Sequence, residues 1–234
     1  MVPMDYILDG FAVALQLLTT GDAEMLAAVY ATLSSSLLAM GGCLGIGVPL
    51  GFLLGYCTFP GRRIARLLVD TALCFPTVVI GLLVYLLLSR RGPLGDLGLL
   101  FTVPGMALGL GLLGLPIIMA LTALAVEQAD RRLRMTLLTL GAGPLQVLWA
   151  TVCEVRFHLM LAAITAFGRV VSEVGISMMV GGNIKWHTRT ITTAIALETG
   201  KGDFALGIAL GLVLLGIALA VNILLALLRK RTAA

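Results

Sequence analysis

Long apolar runs, separated by short basic, polar or glycine-bearing stretches, set the pattern of this chain. A bilayer's hydrocarbon core is about 30 Å thick and takes about 20 apolar residues as helix. Five runs reach that length, at residues 26–56, 67–88, 101–126, 159–180 and 204–228, and each predicts a membrane-spanning helix. A further run, residues 6–18, would extend only about 20 Å as helix and carries Asp9 and Gln16. It reads as an interfacial helix within an N-terminal segment 1–25, with an extra span as the alternative. Residues 26–230 then form the transmembrane domain, and the fold class is an all-α polytopic membrane protein.

One stretch breaks the pattern. TLLTLGAGPLQVLWATV, residues 136–152, carries no charge, yet Glu127, Asp130, Arg131, Arg132 and Arg134 precede it and Glu154 and Arg156 follow. The spacing predicts two short helices, 135–140 and 145–152, bent at Gly-Ala-Gly-Pro, within a loop of residues 127–158. Apolar side chains displayed on a solvent face call for cover. A docked partner and an amphipathic pair lying on lipid headgroups both fit.

Basic residues orient the spans. One side collects Arg62, Arg63 and Arg66, then Arg131, Arg132, Arg134 and Arg156, then Arg229, Lys230 and Arg231, which makes ten. The other holds five: Arg90, Arg91, Lys185, Arg189 and Lys201. The richer side is expected in the cytoplasm together with the C-terminus, which places the apolar loop there too. Glycine and proline recur within the runs, among them Gly47, Pro49, Gly51 and Gly55, Pro76 and Gly81, and Gly109, Gly114 and Pro116. They serve either as close-packing positions or as bend points in helices that move.

Composition agrees with a membrane protein. The 234 residues are 59% hydrophobic and 12% charged, with a mean hydropathy of +1.07, whereas soluble domains carry about 25% charged residues. The net charge of +4 is spread over the ends of apolar runs rather than gathered in a stripe, so no nucleic-acid partner is expected. Cys43, Cys57, Cys74 and Cys153 lack metal-ligand spacing, and His187 has no second ligand nearby in sequence; neither a disulfide nor a metal site is expected. ETGKGD, residues 198–203, has Ile195 where a phosphate loop needs its first glycine and Gly202 where it needs Ser or Thr. No catalytic set or cofactor emerges, so the chain does not read as an enzyme by itself.

LTLGAGPLQVLWATV, residues 138–152, resembles the cytoplasmic coupling loop of permease subunits of binding-protein-dependent ABC importers. The resemblance implies that Leu140, Gly141 and Ala142, with Gly143 and Leu145, form a coupling helix region that docks into an ATP-binding subunit. Met135, Thr136 and Leu137 stand where that motif usually begins Glu-Ala-Ala. Gly168-Arg169 followed by Glu173 resembles a motif common among such permeases, and the longer run SEVG…VGGNI…TRTITTAI…GDFALGIALG resembles the permeases of tungstate importers in particular, as do FPGRR (59–63) and LSRRGPLGDLGLLFT (88–102). The resemblance implies a type I importer permease fold, a homodimer, an ATPase dimer, an extracytoplasmic oxyanion-binding protein, and alternating access in the inner membrane.

Several positions are candidates for the anion's path. Arg169 and Glu173 stand at i and i+4, a spacing that brings their side chains together on a helix. Ionisable residues inside a span are costly and face a partner or a wet cavity. The pair either ties helices or offers Arg169 to an anion with Glu173 holding it; Ser172 lies between them. Lys185, Arg189 and Thr190, in the basic, threonine-rich outer loop, suit either anion contact or the docking of a binding protein. A secondary transporter would favour an internal inverted repeat, and none is evident; a non-transporting scaffold would leave the apolar loop without a purpose.

Overall fold

The computed structural model describes the backbone of residues 3–129 and 131–233, and the side chains of that span except 3–8, 17–18, 131–134 and 224–233. Arg131, Arg132, Arg134, Arg229, Lys230 and Arg231 of the charge count lie outside the described side chains. Ten α-helices make up the described fold: α1 (Pro3–Thr20), α2 (Ala23–Tyr56), α3 (Arg62–Leu73), α4 (Thr77–Leu88), α5 (Val103–Gln128), α6 (Arg131–Thr139), α7 (Pro144–Val171), α8 (Gly175–Gly181), α9 (Ile191–Lys201) and α10 (Phe204–Ala233).

Four of them, α2, α5, α7 and the described part of α10, are long and apolar enough to cross a bilayer. α2 starts where the Asp22 carboxylate accepts the Met25 N–H at 2.8 Å. It then runs unbroken for 34 residues, about 51 Å, through its glycines and Pro49. Gly47, Gly51 and Gly55 recur every four residues and face α5. A Cβ on Gly51 would lie 2.6 Å from the Met119 carbonyl oxygen, and one on Gly55 2.6 Å from that of Ala123. These glycines let two backbones touch, which is the packing alternative for them rather than the bend. The main core forms around that contact, from Met40 and Cys43 on α2, Leu110 and Ile118 on α5, Val170 on α7 and Ile176 on α8.

The expected span 67–88 is two helices. α3 and α4 meet at 100° across Cys74, Phe75 and Pro76. Pro76 lacks the N–H that would continue α3, and its ring drives Phe75 out of helical geometry. At 12 residues, about 18 Å, α4 is too short to cross the bilayer alone, but with α3 it is apolar and long enough to count as a fifth span, broken at the bend.

The expected span 159–180 also needs correction at both ends. Pro144 occupies the first turn of α7, where a missing N–H costs nothing. Nothing in residues 145–171 then stops the helix. The second short helix expected at 145–152 is therefore the beginning of a 28-residue span, and the separate loop shrinks to α6 and its flanks. At the other end α7 stops at Val171, and α8 is an independent short helix packed on α4 and α5. α1 lies along α10, with Gly10 against Ile208, where a Cβ would come within 2.6 Å of the isoleucine side chain.

Candidate functional site

The end of α7 gathers the polar groups in the middle of the bundle. Arg169 Nη1 donates to Glu173 Oε2 at 2.9 Å, although Glu173 lies beyond the helix end; Ser172 keeps near-helical geometry, so the i, i+4 spacing survives the break. The Glu173 side chain is 4% exposed and that of Arg169 44%. Glu173 Oε1 accepts the N–H groups of Gly175 at 3.0 Å and Ile176 at 3.4 Å, capping α8. Its backbone carbonyl accepts the hydroxyl of Thr192, at the start of α9, at 3.1 Å. A Cβ on Gly175 would meet Thr77 and Val78, the first residues of α4, at 3.8 and 3.7 Å.

The first turn of α8 thus meets the Glu173 carboxylate, with the first turns of α4 and α9 beside it. Helix N-termini carry partial positive charge and unpaired N–H groups, and a guanidinium completes the set. This is how a carboxylate is tolerated at that depth. The depth follows from the neighbours. Ile191 N–H donates to Thr32 Oγ1 on α2 at 2.9 Å, and Val170 lies with Cys43 around Gly114, so the node sits between two mid-helix levels of α2. Arg169, Ser172 and Val174 leave one exposed face, on which the guanidinium is the cation.

Two other sequence candidates sit elsewhere. Thr190 is the N-cap of α9, buried, with its hydroxyl toward Thr192 at 2.9 Å and Thr193 at 3.2 Å. Lys185 and Arg189 both bind Glu24 on α2, at 2.7 and 2.6 Å. The structure therefore unites Arg169, Glu173 and, through the α9 cap, Thr190, while Lys185 and Arg189 form a separate clamp at the start of α2. Glu24 escaped the sequence reading. Its signal was an acid opening a span on the side whose longest loop is basic.

At the far end of α7 the apolar stretch forms a turn of defined geometry. Gly141 adopts φ +81°, the Gly141 N–H donates to Leu138 O at 3.1 Å, and the Ala142 N–H to Leu137 O at 2.9 Å. This double bond closes α6 as a Schellman turn, which favours glycine at that position. Gly143 then begins α7, its N–H donating to Gln146 Oε1 at 2.8 Å. The turn displays Leu140 and Leu145, 77% and 79% exposed, beside Leu138 and Trp149. Val147 and Val155 point the other way, Val155 packing on Phe52 and Val126 at the ends of α2 and α5. On the same side, Glu127 binds Arg62 at 2.7 Å and Arg66 at 3.1 Å, tying α3 to α5; this cluster, too, was missed, because its members lie more than 60 residues apart.

A family model for the binding-protein-dependent transport system inner membrane component matches residues 47–234. The tungstate uptake system permease protein of Campylobacter jejuni is 47% identical, over 94% of this chain and 92% of its own length. That of Peptoclostridium acidaminophilum is 38% identical, over 94% and 96%. The molybdenum transport system permease protein of Escherichia coli K12 is 30% identical, over 75% and 81%.

Proposed function

The chain belongs to the family of binding-protein-dependent transport inner membrane components and is a permease subunit of an ABC importer; from that premise we propose that it carries tungstate inward as a homodimer. The observation that carries the anion reading is the half-exposed guanidinium of Arg169, held by Glu173 at mid-bundle. The choice of tungstate rests on the permeases of that name, which resemble nearly the whole chain.

In this reading the arginine-rich end faces the cytoplasm, a placement supported by the ten-to-five charge count. An ATPase dimer seats the Leu140-Gly141-Ala142 turn, with Gly143 and Leu145, in its grooves, and ATP is bound and hydrolysed by that partner alone. Its closure turns the spans outward, and release of products returns them inward, a population shift between two packings. A binding protein delivers the dianion to the opposite face, near the Lys185, Arg189 and Glu24 clamp. Two copies of Arg169, one from each protomer, then meet the oxyanion with charge-assisted donors that replace part of its hydration. Ser172, beside each, supplies a neutral hydroxyl. Helix α1 stays against α10, outside the path.

Reconstituting permease, ATPase and binding protein in vesicles and measuring tungstate uptake against molybdate and sulfate tests the substrate. Competition by molybdate and none by sulfate is expected. Sulfate entering as fast as tungstate would overturn the assignment.

A further inference from the structure

Helix α3 presents a surface that the transport reading leaves unused. None of its twelve residues is buried, and a 100° bend separates it from α4. Arg62 and Arg66 turn back to Glu127 on α5 and fix the helix at the arginine-rich end. At 100° per residue, Ile64, Leu67 and Leu68 share one arc of about 100°; they are 64%, 65% and 65% exposed. Arg63 flanks that arc beside Leu67, exposed, and among the described residues it makes no hydrogen bond or ion pair. An apolar stripe bordered by an unneutralised arginine, on a helix without buried residues at the arginine-rich end of the bundle, matches the boundary between acyl chains and anionic headgroups. A protein partner would have to bring an acid to Arg63, and of this chain's own acids at that end Asp70 is held by Arg66 at 3.5 Å and Glu127 by Arg62 at 2.7 Å.

We propose that α3 is an in-plane lipid-binding helix, with Ile64, Leu67 and Leu68 entering the acyl layer and Arg63 holding the phosphate of an anionic phospholipid. The proposal needs the chain to lie in a bilayer but not the transport reading, and its test does not involve uptake.

The test uses the full chain with its ATPase partner in nanodiscs of phosphatidylcholine, with and without phosphatidylglycerol. Leu67→Cys, in a chain whose native cysteines are replaced by serine, carries a nitroxide. Native mass spectrometry counts retained phosphatidylglycerol. The nitroxide is expected to be relaxed by oxygen more than by a water-soluble agent. Arg63→Gln is expected to weaken phosphatidylglycerol retention about five-fold, the factor for one basic residue at an anionic surface, and Arg63→Lys to restore it. Dipolar coupling between nitroxides on two copies, or retention unchanged in Arg63→Gln, would overturn the proposal.

Discussion

Arg169 and Glu173 divide their work unequally, and substitution separates the parts. Arg169→Gln removes a charge-assisted donor worth about 1.5–3 kcal/mol, so the KM for uptake should rise about ten-fold or more while the ATPase stays attached; vesicle uptake kinetics measure this. Glu173→Ala strips the acceptor from the N–H groups of Gly175 and Ile176 and should lower the unfolding temperature. Glu173→Gln keeps an oxygen there and should lower it less. At the opposite end of α7, Gly141 holds φ +81°, so Gly141→Glu strains the turn and puts a charge between Leu140 and Ala142. Loss of ATPase co-purification is the expected result, and intact binding with ATP-driven uptake would contradict the docking assignment. At this scale the sequence was legible where the chemistry is local. The i, i+4 pair and the LGAGP turn are both fixed by neighbours in the chain. The Lys185 and Arg189 clamp on Glu24 joins residues up to 165 apart and could not be read that way.

Among the elements, hydropathy found where apolar helix occurs but not where it stops. Residues 67–88 and 159–180 each read as one run because apolar side chains resume directly after the breaks at Pro76 and at Ser172-Glu173. Apolarity reports burial in lipid or protein, and a half-length helix satisfies it as well as a full one. Conversely, α2 passes through Pro49 and its glycines unbroken, since α5 lies against them and holds the helix. Gly51 is the sharpest measure of that contact. A methyl group there would meet the Met119 backbone, which has no rotamer to change. Gly51→Ala should therefore cost about 1–3 kcal/mol of stability, read as a lower unfolding temperature in detergent, whereas Gly45→Ala, with nothing within 4 Å, should cost little.

For the whole molecule, the pattern of spans and loops gave the membrane class, and the family motifs singled out the turn for which docking is proposed. What they did not reveal is that α7 joins that turn to the polar node as a single uninterrupted element. Leu145 and Arg169 lie 24 residues apart on it, about 36 Å of helix. In the proposed docking, such a helix works as a push rod. It is stiff along its length, so a stroke delivered at the turn arrives at Arg169 nearly undiminished, and its twist fixes the bearing of one end relative to the other. Adding a single alanine midway along α7 would turn Arg169 by about 100° relative to Leu145 without touching either end. The expected machine still grips its ATPase and burns ATP, as co-purification and phosphate release would report, but its stroke is mistimed and the anion stays outside.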